Sequence, residues 1–198
     1  MPNWCFSSVV IEGNQEEIES LHKVMDTLQK MNKPSIENGF GPTWLGCLLN
    51  AIGKDWHNIS CRGSWSDLSV EFNNNIGVLR FYTETAWRPM TEVFQAICEV
   101  YQSASYYFES EESGMGEYWT NDIGKKYFRD RYIVDMCTPD EHYCTEYFET
   151  LPKALEFLQD GEEMPIKSLQ DVELMEEKWQ EINPDSYCNV HEFLILNE

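Results

Sequence analysis

Apolar residues fall on both sides of the opening segment of the chain. Over residues 3–12, Trp4, Phe6 and Val10 share one face of an extended strand, and Cys5, Val9 and Ile11 share the other, because successive strand side chains point to opposite faces. A strand apolar on both faces reads as the centre of a sheet rather than its edge. Gly13-Asn14 breaks the run, and Asn14 is placed to cap a helix directly after it. Ile18, Leu21, Met25 and Leu28 then recur every three or four residues, which predicts an amphipathic helix over 15–31. Glu16, Glu17 and Glu19 sit in its first turns, where the helix dipole favours acids.

A Gly/Pro/Asn-rich stretch leads to Thr43, a candidate cap for a short apolar helix that contains Trp44, Leu45, Leu48, Leu49 and Ile52. Two strand-like runs, 62–73 and 76–85, flank Asn73-Asn74-Asn75, and asparagine tolerates the left-handed backbone of a tight hairpin turn. Pro89 marks the start of another helix, with Val93, Phe94, Ile97, Val100 and Tyr101 as its apolar stripe. Ser105–Ser110 reads as a strand. Two more strands, about 116–121 and 126–136, are expected to join through Asp122-Ile123-Gly124. Beyond Thr138-Pro139-Asp140 the pattern predicts helices over 150–160 and 168–182 and a closing strand over Tyr187–Leu196. Gly161-Glu162-Glu163 is the best linker candidate.

The order β-α-(α)-β-β-α-β predicts an α+β protein with a ferredoxin-like βαββαβ antiparallel sheet, helices on one face, a β-hairpin extension and a C-terminal helix-helix-strand appendage. The expected division is a domain over 1–138 and an acidic extension over 139–198 packed on it. Trp4, Phe6 and Val10 ask for cover on the second sheet face, so that extension, or a partner, is expected to supply it.

Charge sharpens this picture. The chain has 198 residues and a net charge of −21, and residues 139–198 hold 16 acids against 3 bases. Such a balance argues against direct binding of nucleic acid or of an anionic membrane, and favours a basic protein partner or simply solubility. Seven cysteines is an odd number at irregular spacing, which suits free thiols in a reducing cytoplasm. No apolar run approaches the roughly 20 residues a membrane span needs.

Four stretches resemble the YubB ferredoxin-like domain family of plasmid and phage proteins. They are Pro2-Asn3-Trp4-Cys5 with its Val-rich strand, Arg62-Gly63-Ser64-Trp65-Ser66-Asp67, Thr85-Ala86-Trp87-Arg88-Pro89, and Tyr107-Phe108-Glu109 with Gly114-Met115-Gly116. The likeness covers roughly residues 1–136. It implies the ferredoxin-like fold and a mobile-element setting, and it implies neither an activity nor a cofactor.

Candidate chemistry is sparse. Trp65, Trp87 and Trp119 could line one groove, with Glu109 and Arg62 as polar contacts, since ligand sites are concave, apolar and sparingly polar. Cys137, His142 and Cys144 carry zinc-binding atoms, but without the Cys-x(2–4)-Cys pair of structural sites, so neither metal nor cofactor is expected. No phosphate-binding glycine loop or His-Glu-x-x-His motif occurs. The expected function is a non-enzymatic protein-binding module, acting through its aromatic-rich sheet or its acidic C-terminal part. The alternative is a small-ligand binder or enzyme built on the tryptophan groove.

Overall fold

The computed structural model describes residues 2–196 apart from Gly161 and Glu163. The protein is α+β, and its chain forms two compact units, residues 1–122 with 196–198, and residues 123–195.

In the first unit, strand β1 (Trp4–Asn14) pairs antiparallel with β3 (Ile76–Ala86) on one side and β4 (Ser105–Glu112) on the other. Strand β2 (Gly63–Asn73) pairs with β3, and β5 (Glu117–Thr120) with β4, both antiparallel. The order of these strands in the sheet is β2-β3-β1-β4-β5. The opening strand therefore lies inside the sheet, as its two apolar faces predict.

Helix α1 (Gln15–Gln29) buries Ile18, Leu21, Met25 and Leu28, the stripe read from the sequence. Asn14 caps it by accepting a hydrogen bond from the Glu17 backbone N–H at 2.9 Å. Replacing Asn14 with Ala is expected to cost about 1 kcal/mol, read as a lowered urea midpoint with an unchanged slope. Glu17 in turn accepts from the Ser103 backbone N–H at 2.9 Å and from its hydroxyl at 2.6 Å. These two bonds hold the Glu17 carboxyl below its usual range. Helices α2 (Leu45–Ala51) and α3 (Thr91–Val100) add Leu45, Leu48, Leu49, Val93, Phe94 and Ile97 to the same core, together with Val9, Ile11, Leu79, Phe81 and Phe108 from the sheet. The Phe94 ring centroid lies 6.1 Å from that of Phe108 and 6.3 Å from that of Phe81.

Two expected details differ. Thr43 does not cap α2, which starts after Trp44 with no side-chain cap. The α3 helix begins at Thr91, two residues past Pro89. The Asn turn holds: Asn74 (φ 50°) and Asn75 (φ 64°) are both left-handed, the backbone of a two-residue hairpin loop. In β2 the register shifts between Ser66 and Ser69, a bulge that includes Asp67 at φ 53°.

The second unit has its own sheet of order β7-β6-β8, built from β6 (Tyr132–Cys137), β7 (Tyr143–Phe148) and β8 (Tyr187–Glu192), all antiparallel. Val134, Met136, Cys188 and Val190 pack with α4 (Leu151–Gln159) and α5 (Leu169–Ile182), whose buried residues are Ala154, Leu155, Leu158, Val172, Met175 and Trp179. Ser168 caps α5 by accepting from the Asp171 backbone N–H at 3.3 Å.

This corrects the expected β-hairpin extension. The strand placed at 126–136 starts at Tyr132, and its partners are β7 and β8, not β5. The compact units accordingly divide at 122/123, earlier than the expected 138/139. The closing strand is broken at Phe193, whose backbone N–H donates to the Arg131 carbonyl at 2.9 Å. Of the linker candidate, Gly161 and Glu163 lie outside the described residues, while Glu162 accepts from Trp179 Nε1 at 2.9 Å. Among the described residues no helix is long and apolar enough to cross a membrane.

Candidate functional site

The first sheet has two unlike faces. Odd positions of β1 (Cys5, Val9, Ile11) are buried, and Val9 and Ile11 belong to the core with the helices. Even positions carry the opposite face. Register places Phe6 beside Glu84 and Glu111, Ser8 beside Tyr82 and Glu109, Val10 beside Arg80 and Tyr107, and Glu71 beside Val78. Phe6 is 58% exposed and Tyr82 54%, whereas Val10 between Arg80 and Tyr107 is buried. Glu12, Glu71, Glu84, Glu109, Glu111 and Arg80 all lie on this face.

The four stretches that carry the family resemblance meet at one end of this sheet. Ala86 lies opposite Trp4, and Thr85 lies between Cys5 and Gly63. The Asn3 carbonyl accepts the Trp87 backbone N–H at 2.9 Å, and the Arg62 carbonyl accepts that of Ala86 at 3.0 Å. A Cβ built on Gly114 would stand 2.9 Å from Asn3 Nδ2. Glu112 is buried and folds this loop by accepting from the Gly114 and Met115 backbone N–H groups at 3.0 and 3.1 Å. Beside it, burial pushes the Cys5 thiol up to about 12, which keeps it protonated and poorly nucleophilic at neutral pH. The convergence is a structural joint: its backbone groups bond one another, and its one thiol is disarmed.

The sequence-predicted site residues do not come together. Trp65 sits on β2 in the first core and is 2% exposed. Trp119 is half-buried against the same core from β5. A single row runs Trp65–Thr83–Ser7–Ser110–Trp119 across five strands, which puts the two indoles roughly 19 Å apart at the usual strand spacing. Trp87 is exposed at the corner after β3 with φ 73°, an uncommon backbone for a bulky residue. Arg62 is exposed just before β2. Glu109 lines a concavity on the sheet face. The tryptophan groove fails for a physical reason: strand alternation sends Trp65 and Trp119 into the core, opposite to Glu109.

Strand pairing also separates the zinc candidates. Cys137 faces Tyr143 and Cys144 faces Met136 across the same ladder, so the two thiols project from opposite faces. The His142 carbonyl accepts the Thr138 backbone N–H at 3.0 Å in the turn between them. Among the described residues no group of three His, Cys, Asp or Glu side chains is placed to hold a metal ion.

Sequence reasoning passed over Phe6 and Tyr82 as site residues. The available signal was the apolar second face of β1, read there as a surface needing cover. No family model matches the chain, and neither does any curated protein or solved structure.

Proposed function

We propose that this protein is a non-enzymatic, protein-binding module that receives a basic partner on the open face of its first sheet. The observation that carries this reading is that face itself, where Phe6 and Tyr82 are exposed and share the surface with the exposed carboxylates of Glu71 and Glu84. Exposed aromatics supply contact area, and the excess of one charge sign selects the partner's sign and speeds encounter. A ferredoxin-like core is part of the same proposal, supported by the antiparallel order β2-β3-β1-β4 with α1 and α3 in the connections. So are the kinship with the YubB family and a mobile-element setting, which rest on the four sequence stretches, and a cytoplasmic location, which rests on the odd, irregularly spaced cysteines.

The acidic C-terminal part is the competing surface, and charge reversal separates the two. A cationic peptide titrated against the full chain is expected to bind with strong salt dependence. Glu71→Lys with Glu84→Lys, both at exposed positions, should weaken it by about tenfold or more, a change of roughly 1.4 kcal/mol. Glu173→Lys with Glu177→Lys on α5, where both acids are exposed, should change it far less. Equal losses from the two pairs would sink the sheet-face reading.

A further inference from the structure

The two sheets treat their outer strands differently. In the first, β2 carries the bulge with Asp67, and Trp44 bridges to its start at Ser64. Both devices blunt an exposed strand. In the second, β7 ends the order β7-β6-β8 and pairs with β6 in unbroken register from Tyr143 to Phe148. It holds no proline and no lysine, and its one charge is Glu146. Hydrogen-bonded and non-bonded pairs alternate along an antiparallel ladder. Two bonds fix the phase here: the Thr138 N–H donates to the His142 carbonyl at 3.0 Å, and the Phe193 N–H to the Arg131 carbonyl at 2.9 Å. Cys144 and Glu146 therefore turn their backbone groups toward β6, while Tyr143 and Thr145 turn theirs outward. Tyr143 is 70% exposed, and Thr145 is exposed as well.

We propose that β7 pairs antiparallel with β7 of a second copy of this chain, which joins two three-stranded sheets into one of six strands. Such a pairing is two-fold symmetric, so the strand must complement itself. Centred on Thr145, it sets Thr145 against the partner's Thr145, and their outward N–H and carbonyl groups exchange two bonds. Tyr143 then stands opposite the partner's Tyr147, and Cys144 opposite the partner's Glu146. Threonine with threonine and aromatic with aromatic are favourable cross-strand pairs, and no acid directly faces an acid. Centring one residue later would set Glu146 against itself, a like-charge pair. An unrelated extended segment added to this edge would need no such match; self-complementarity points to the second copy. Both copies carry −21, so the dimer tightens as salt screens their repulsion. This interface lies on the second sheet and does not depend on the docking face of the first.

Sedimentation of the full chain over a concentration series reads the association. Wild type is expected to pass from one chain to two between about 10 µM and 1 mM, as suits a small interface, and at lower concentration in high salt. Thr145→Pro removes the outward N–H and spares the β6 ladder, and edge strands tolerate proline at such a position. Thr145→Lys sets two lysines against each other at the symmetry axis. Each should raise the concentration of half-association by about tenfold or more, with thermal melts close to that of wild type. Asn189→Lys on β8, exposed on the same side of the sheet as Thr145, should leave association unchanged. A single chain throughout the series overturns the proposal. So does association that survives both substitutions at Thr145, or that Asn189→Lys weakens equally.

Discussion

Replacing Trp65 with Ala is expected to lower the free energy of unfolding by about 3–5 kcal/mol, the usual cost of emptying a large aromatic site from a packed core. Trp65 is 2% exposed and packs in the core formed by β1, β3, β4 and helices α1 to α3. Its backbone N–H also bonds the Thr43 carbonyl at 3.1 Å, which ties the start of β2 to the loop before α2. The same truncation at Trp87, which is 49% exposed, should cost under about 1 kcal/mol, as is usual for surface positions. Urea denaturation of the two variants checks the contrast. A larger loss at Trp87 than at Trp65 would mean that the corner after β3 matters more to folding than the packing implies.

Gly63→Ala is the second large effect. A Cβ built on Gly63 would stand 2.3 Å from the Glu84 carbonyl oxygen and 2.8 Å from the Thr85 Cα. Both are backbone atoms of β3, and β3 is locked on its far side to β1 through Cys5↔Thr85 and Phe6↔Glu84. Neither atom can rotate away as a flexible side chain could, so the β2–β3 pair itself must part. The expected loss is about 3 kcal/mol, the upper end of overpacking costs. Adding one methyl here should therefore match the loss from removing a whole indole two residues later. An Ala variant with wild-type stability would show that the start of β2 is free to move.

What could be read from the sequence was whatever local periodicity controls. The α1 stripe, the Asn14 cap and the Asn73–Asn75 turn each depend on neighbours within four residues, and all three stand as expected. The second sheet depends on distant partners. Tyr132 pairs with Phe148 and with Glu192, and nothing near Tyr132 says that its strand belongs with those rather than with β5. Strand β7 escaped notice because Tyr143, Thr145, Glu146 and Tyr147 are all exposed, so no buried side imprints an alternation on it.

Side-chain direction in β2 was hidden for another reason. By plain alternation, Trp65 and Val70 should face opposite ways. The bulge between Ser66 and Ser69 adds the residue that turns them to one side, opposite Thr83 and Leu79. A tryptophan that composition alone offered as a groove wall is in this way a core residue. Phe6 shows the converse: it occupies the even side of β1, and its neighbours on adjacent strands, Glu84 and Glu111, are acids that leave it uncovered.

The position of β1 inside its sheet also bears on the order in which the protein can assemble during synthesis. Both of its hydrogen-bonding neighbours lie later in the chain, β3 ending at Ala86 and β4 at Glu112. Until the ribosome has delivered them, an apolar strand with two unpaired edges waits in the open, the condition under which nascent chains associate wrongly or recruit chaperones. α1, whose contacts along its own stripe are local, can form at once and shield one side of that strand. The side that stays bare through this interval is the one that bears Phe6, a ring still exposed once the chain has folded.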